Sequence, residues 1–229
     1  MQPYLFPYLG YFQLINAVDK YVICDDVQYI KNGWINRNNI LNDKKQYLFT
    51  FNVKKGEHLE LINERFYCTN MFNNQINKFY NLLTISYRKA KYFDEVFKLI
   101  TEIFQYNDLN IAKFNSNALK NICKYIGIDT EFINSSEIPQ DNMLKRENKV
   151  LAINKILLST QYINAIGGRE LYCKETFNKN NIKLNFIKTL KVEYKQFKND
   201  FIPNLSIIDV LMFNSKEEIK LLLNEYELV

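Results

Sequence analysis

The sequence predicts an α/β fold with a mostly parallel sheet, flanking helices, an N-terminal hairpin insertion and a helical middle section over about residues 70–127. Three observations predict it. Short β-branched runs, such as Lys20 to Cys24 (KYVIC) and Gln161 to Ile166 (QYINAI), end in acidic or glycine-rich turns. Stretches of helical length separate these runs, and strands spaced in that way are joined by parallel crossovers. Between the two halves lie long segments whose apolar residues recur at i, i+3 and i+4. Together they describe a Rossmann-like arrangement, and 229 residues suit one large domain over 1–229.

The elements follow in order. Gln2 and Pro3 read as the end of a strand turning into a loop that Pro7 and Gly10 punctuate. A first strand normally holds four to six apolar residues, so this one is expected to be truncated. Tyr11 to Asn16 reads as a short helix and Lys20 to Cys24 as a buried strand closed by Asp25 and Asp26. Trp34 to Leu41 and Tyr47 to Val53 form a hairpin across Asn42 to Lys45, and Leu59 to Tyr67 adds an extended piece. Three helices come next. Met71 to Tyr87 has apolar residues at 72, 76, 79, 80 and 83; Phe93 to Phe104 has a clean stripe; Ile111 to Ile126 is stopped by Gly127 as a C-terminal cap. The stripes are core rather than chemistry. Alternation then resumes: strand Thr130 to Ile133, helix Leu144 to Ser159, strand Gln161 to Ile166, helix Glu170 to Asn180 and strand Ile182 to Leu190. Ser206 is placed to cap a helix from Ile207 to Phe213, and a last helix runs from Lys216 to about Tyr226.

Composition narrows the function classes. Hydrophobic residues make up 47% of the chain, ample for a core, and 24% are charged, which argues against disorder. The net charge of +5 is small, and the densest basic runs, Lys44-Lys45 and Lys54-Lys55, are only pairs. A nucleic-acid partner would call for clustering on one face, so none is expected. Cys24, Cys68, Cys123 and Cys173 each lie more than forty residues from the next, with no C-x-x-C pair for a zinc ribbon or a redox site. The start MQPYLFPYLG lacks the basic and apolar regions of a secretory leader. No stretch approaches the ~20 apolar residues of a membrane span. A cytoplasmic protein with reduced thiols and no membrane insertion is expected.

The first forty residues are the densest polar and aromatic stretch, and they read as a pocket. Gln2, Tyr4, Tyr11 and Gln28 are candidate substrate contacts there. Ligands in open α/β sheets bind at the carboxyl ends of strands, which singles out Asp25-Asp26 and Gly167-Gly168-Arg169. Adjacent strand residues point to opposite faces, so one of Asp25 and Asp26 is expected to enter a given site. The plain alternative is a turn, and further carboxylates at metal-binding spacing are lacking, so neither metal nor cofactor is expected. Trp34, Asn36, Arg37 and Asn38 group the chain's single tryptophan with two amides and a guanidinium. That set suits sugar stacking and the binding of carboxylate or phosphate, or else forms a polar hairpin with a half-buried indole. Gly167 and Gly168 before a helix could offer amides to an anion, although a lone diglycine is more often a plain turn. Ser206 to Asp209 reads most simply as a cap, with Asp209 kept as a candidate contact. His58, the only histidine, has no Ser-His-Asp or Cys-His partners.

The strings QPYLFPYLGYFQLINAVDKYVICDDVQYIKNGWINRN, YINAIGGRELY and FIPNLSIIDVLMFN resemble the WbqC-like protein family nearly end to end. In that family a short apolar strand precedes the Gln-Pro, which agrees with the truncated first strand expected above. The resemblance implies a role in bacterial surface-polysaccharide (lipopolysaccharide O-antigen) biosynthesis. It points to a transferase that attaches an acyl or aminoacyl group to a nucleotide-linked amino sugar. The partners implied are that sugar and an acyl or aminoacyl donor. Asp25 or Asp26 would accept the amine proton, Asn36, Asn38 or the Gly167-Gly168 amides would polarise the acyl carbonyl, and Arg37 and Arg169 would meet phosphate or carboxylate. The alternative is a non-catalytic sugar-binding or accessory protein of the same pathway. Resemblance to nucleotidyl transferases fails because no H-x-G-H motif exists, and a ligase using ATP would need a phosphate-binding loop that the sequence does not show.

Overall fold

In the computed structural model, residues 1–141, 143–197 and 200–229 are described. Helix α1 (Leu9–Asn16) is apolar nearly all round and buried accordingly. Parallel pairing is present, but it joins β1 (Lys20–Ile23) to β4 (Glu131–Asn134), which follows the helical section. The hairpin is formed by β2 (Arg37–Asn42) and β3 (Lys45–Thr50). Its turn is tighter than expected: Asn42 pairs with Lys45, and Asp43 and Lys44 both have positive φ, as a two-residue hairpin turn requires. The segment expected to be extended, Leu59 to Tyr67, instead contains a 3₁₀ turn at Ile62–Glu64.

The helical section is as the apolar periodicity indicates: α2 (Thr69–Tyr87), α3 (Phe93–Phe104) and α4 (Ile111–Ile126). Asn110 caps α4 by accepting from the Lys113 amide, and Gly127 ends it at φ 78°, a left-handed conformation that costs glycine little. These helices enclose an aromatic core. The Phe51 and Phe104 rings stack at 5.2 Å, and Phe49 lies 4.7 Å from Phe79. The opening loop enters the same core. Phe6 is fully buried at φ 48°, a strained conformation for a bulky residue. Its ring lies 6.2 Å from Phe79, and its carbonyl accepts from Asn38 Nδ2 and Ser206 Oγ, each at 2.7 Å.

The C-terminal part departs most from expectation. Helix α5 spans Arg146–Ile156, shorter than the expected 144–159. Strand β5 (Gln161–Ala165) runs parallel to β6 (Lys183–Thr189). The expected helix 170–180 is reduced to α6 (Lys174–Lys179), because Ile166–Leu171 forms a 3₁₀ turn. The Cys173 amide there donates to Glu147 of α5, and Tyr172 packs edge-on against Tyr162 and Phe177. Ser206 caps α7 (Ile207–Phe213) as expected. Helix α8 (Lys216–Leu222) starts with a Ser215–Glu218 capping box and stops early, and β7 (Tyr226–Leu228) then pairs antiparallel with β6. Ladder bonds with a ready strand outweigh one more helical turn.

The sheets are therefore small and mixed, and the continuous Rossmann-like sheet is a correction to the expectation. What interrupts it is a cleft of about 390 Å³ between the β1 and β5 edges. At one end of this cleft Met1 bonds to β1: its amine donates to the Val22 carbonyl (2.8 Å) and its carbonyl accepts from the Cys24 amide (2.7 Å). Among the described residues no helix is long and apolar enough to cross a membrane.

Candidate functional site

Two parallel strands deliver the principal site. Because β1 and β4 run side by side in register, their carboxyl ends place Asp25 and Asp26 beside the Ser135–Glu137 3₁₀ turn. Asp25 is buried and accepts three bonds. Its Oδ1 takes Ser135 Oγ (3.1 Å) and the Ser136 amide (3.0 Å), and its Oδ2 takes Ser136 Oγ (2.6 Å). This carboxylate is a clamp between the two loops.

Asp26 faces a different set. Lys149 Nζ, from α5, lies 2.7 Å from its carboxylate, and both side chains are nearly buried, at 13% and 11% exposure. The same ammonium also bonds the Asp26 carbonyl at 3.2 Å. Ser135 Oγ donates to Asp26 as well as to Asp25, yet a hydroxyl carries one proton, so it serves one carboxylate at a time. Gln140 Nε2 approaches at 3.4 Å, while its Oε1 is buried without a partner. The cluster thus joins a proton acceptor to a fixed ammonium and has hydrogen-bonding capacity to spare. Sequence reasoning missed Lys149. The available signal was its position four residues before Ile153, which is buried on α5; a lysine on that stripe must find a partner.

One residue separates Asp26 from Gln28, which opens onto a second feature, a cavity of about 980 Å³ beside the hairpin. Asn36 and Arg37 also line it. The Asn36 amide is spent within the fold, accepting from Tyr29 Oη (3.0 Å) and donating to the Phe51 carbonyl (2.7 Å). The Arg37 guanidinium lies 5.8 Å from the Trp34 ring centroid and donates to the Asn32 and Gly33 carbonyls. Trp34 itself is 46% exposed. Gln28 donates to the His58 carbonyl at 2.9 Å.

The remaining candidates lie elsewhere. Gln2 and Tyr4 are half-buried and meet at 3.4 Å. Tyr11 is buried, with its hydroxyl on the Gln2 carbonyl at 2.7 Å. Asn38 holds the Phe6 carbonyl. Gly167, Gly168 and Arg169 sit in the 3₁₀ turn after β5, not before an α-helix. Asp209 is fully buried and accepts from Tyr87 Oη, Tyr194 Oη and Gln196 Nε2, each at 2.7 Å. Burial raises its carboxyl above the ordinary range, while those three bonds pull the other way. Among the described residues, no group of three His, Cys, Asp or Glu is arranged to hold a metal ion.

A mixed α/β protein with paired carboxylates and a nearly buried lysine at the carboxyl ends of parallel strands is the class that this geometry defines. Within that class the chain belongs to the WbqC-like protein family, which matches residues 2–221. It is 28% identical over 211 residues to the uncharacterized protein Rv1507c of Mycobacterium tuberculosis, covering 91% of this chain and 89% of that one. No solved structure matches the chain.

Proposed function

We propose that the protein is a sugar-modifying transferase of surface-polysaccharide biosynthesis, attaching an acyl or aminoacyl group to a nucleotide-linked amino sugar. The observation that carries this reading is the Asp26–Lys149 pair at the ends of β1 and β4. N-acylation joins the sugar nitrogen to the acyl carbon and breaks the bond from that carbon to the donor's leaving group. The nitrogen sheds a proton, which the Asp26 carboxylate accepts. Negative charge gathers on the acyl oxygen as the tetrahedral intermediate forms, and the Lys149 ammonium is positioned to stabilise it. Asp25, with its three donors, holds the loops in place and leaves Asp26 as the working carboxylate. Family membership is consistent with this context, and the cluster supports the chemistry.

The test compares wild type with Asp26→Asn and Lys149→Met on amino-sugar nucleotides with acyl and aminoacyl donors. Both variants are expected to lose about 10²–10⁴-fold in turnover, with sugar-nucleotide binding near that of wild type. Unchanged turnover in Asp26→Asn would remove the proposed base. A protein that binds the sugar but forms no product in any form is an accessory binder.

A further inference from the structure

The chemistry above leaves the cavity beside the hairpin unused, and its charge is out of proportion to the chain. Lys31, Arg37, Lys54, Lys55 and Arg65 line it, against Glu57. Glu60, 2.6 Å from Arg65, neutralises that guanidinium. Three positive charges are left over at one cavity, in a chain whose net charge is +5.

These cations are placed, not merely gathered. Arg65 is spent as the floor: it is buried, donates to the Lys54 carbonyl at 2.7 Å and covers the Tyr29 ring at 5.1 Å. Gly56, in the next loop, lies close over that floor, with Arg65 Nη1 and Glu60 Oε2 standing where a Cβ would be. The loop carries Lys54 and Lys55 at the rim, exposed. Arg37 uses its Nε and one Nη2 donor on backbone carbonyls, which locks the guanidinium in place and leaves further N–H groups for a ligand. Val53, Ile30 and the Tyr29 ring add apolar wall. A volume near 980 Å³ exceeds what an inorganic ion fills and falls in the range of small-molecule sites.

We propose that this cavity binds the nucleoside diphosphate portion of a ligand, with Arg37, Lys54 and Lys55 on the two phosphates and the apolar wall against the nucleoside. The inference rests on the transferase reading for the sugar that such a ligand would carry. Gln28, which lines this cavity, follows Asp26 by two residues in the chain, and a nucleotide-linked acceptor held here would have its sugar directed towards the carboxylate cluster.

Titration calorimetry on the full chain tests it, with uridine diphosphate, uridine and inorganic phosphate as probes, at low and at high salt. Uridine diphosphate is expected to bind about tenfold or more tightly than either fragment, and to weaken with salt. Lys54→Glu combined with Lys55→Glu, both on the exposed rim, is expected to weaken it by about tenfold or more. Asp26→Asn is expected to bind it as wild type does. Uridine binding as tightly as its diphosphate, no binding at all, or binding unaffected by the charge reversal would overturn the proposal. Tighter binding of a single-stranded oligonucleotide would overturn it in favour of a nucleic-acid surface. Diphosphate binding without turnover on any sugar keeps this site and removes the transferase. Turnover on the nucleotide sugar with an unchanged KM in the charge-reversed protein would overturn the placement of the acceptor's diphosphate here and leave the transferase reading intact.

Discussion

Asp209 and Asp26 are both held by several partners, but they differ in what they can do. The donors around Asp209 come from buried Tyr87 and Gln196 and from half-buried Tyr194, so it ties α7 to α2 and to the segment around Tyr194. Asp209→Ala is expected to cost about 3 kcal/mol or more, because three donors, two of them on buried residues, lose their acceptor at once. Its raised carboxyl also sets a pH dependence. The folded state binds that proton more tightly than the unfolded chain, so as pH falls the folded state takes it up first. Wild type should gain stability relative to Asp209→Asn between the raised folded value and the ordinary carboxylate value near about 4, and lose that gain as pH rises again. Melting temperatures of the two proteins across that window measure it; parallel curves would contradict it. Asp26, by contrast, sits beside a lysine and next to a glutamine oxygen without a partner, and it has interactions left to offer.

Among the elements, α4 is the most self-contained: Asn110 starts it, an apolar stripe buries it and Gly127 ends it. Gly127→Ala is expected to cost about 1 kcal/mol through its positive φ. The new methyl group would meet only Lys220, at an ordinary 3.4 Å. A lower urea midpoint with an unchanged slope would show this, whereas an unchanged midpoint would contradict the cap. Such elements are legible in sequence because their signals are local. The end of the last helix is not, since β7 exists only through its pairing with β6, about forty residues earlier. Nor is the 3₁₀ turn at Ile166–Leu171, after which Cys173 and Tyr172 contact Glu147 and Phe177 before α6 begins. The site divides in the same way. Asp25 and Asp26 stand out at a strand end, but Lys149 meets Asp26 across 123 residues of sequence. Asn36 and Asn38 look like ligand groups in the sequence, and the structure gives their amides to Phe51 and Phe6.

At the scale of the whole molecule, residues from Asp25 to Lys149 converge at the carboxyl ends of the β1–β4 pair. The β1 end supplies the carboxylates, the turn after β4 the hydroxyls, and α5 the lysine. The hairpin, which lies in sequence between the two strands of the β1–β4 pair, supplies Arg37 and Thr50 to the cationic cavity. The central proposal is that this convergence transfers an acyl group to an amino sugar held by its nucleotide. The most direct measurement is mass spectrometry of reaction mixtures in which the full chain meets amino-sugar nucleotides and a panel of acyl and aminoacyl donors. The account expects one nucleotide sugar to gain the mass of one acyl or aminoacyl group, with the increment absent from Asp26→Asn. Sugar nucleotides that bind and return unmodified with every donor would contradict it.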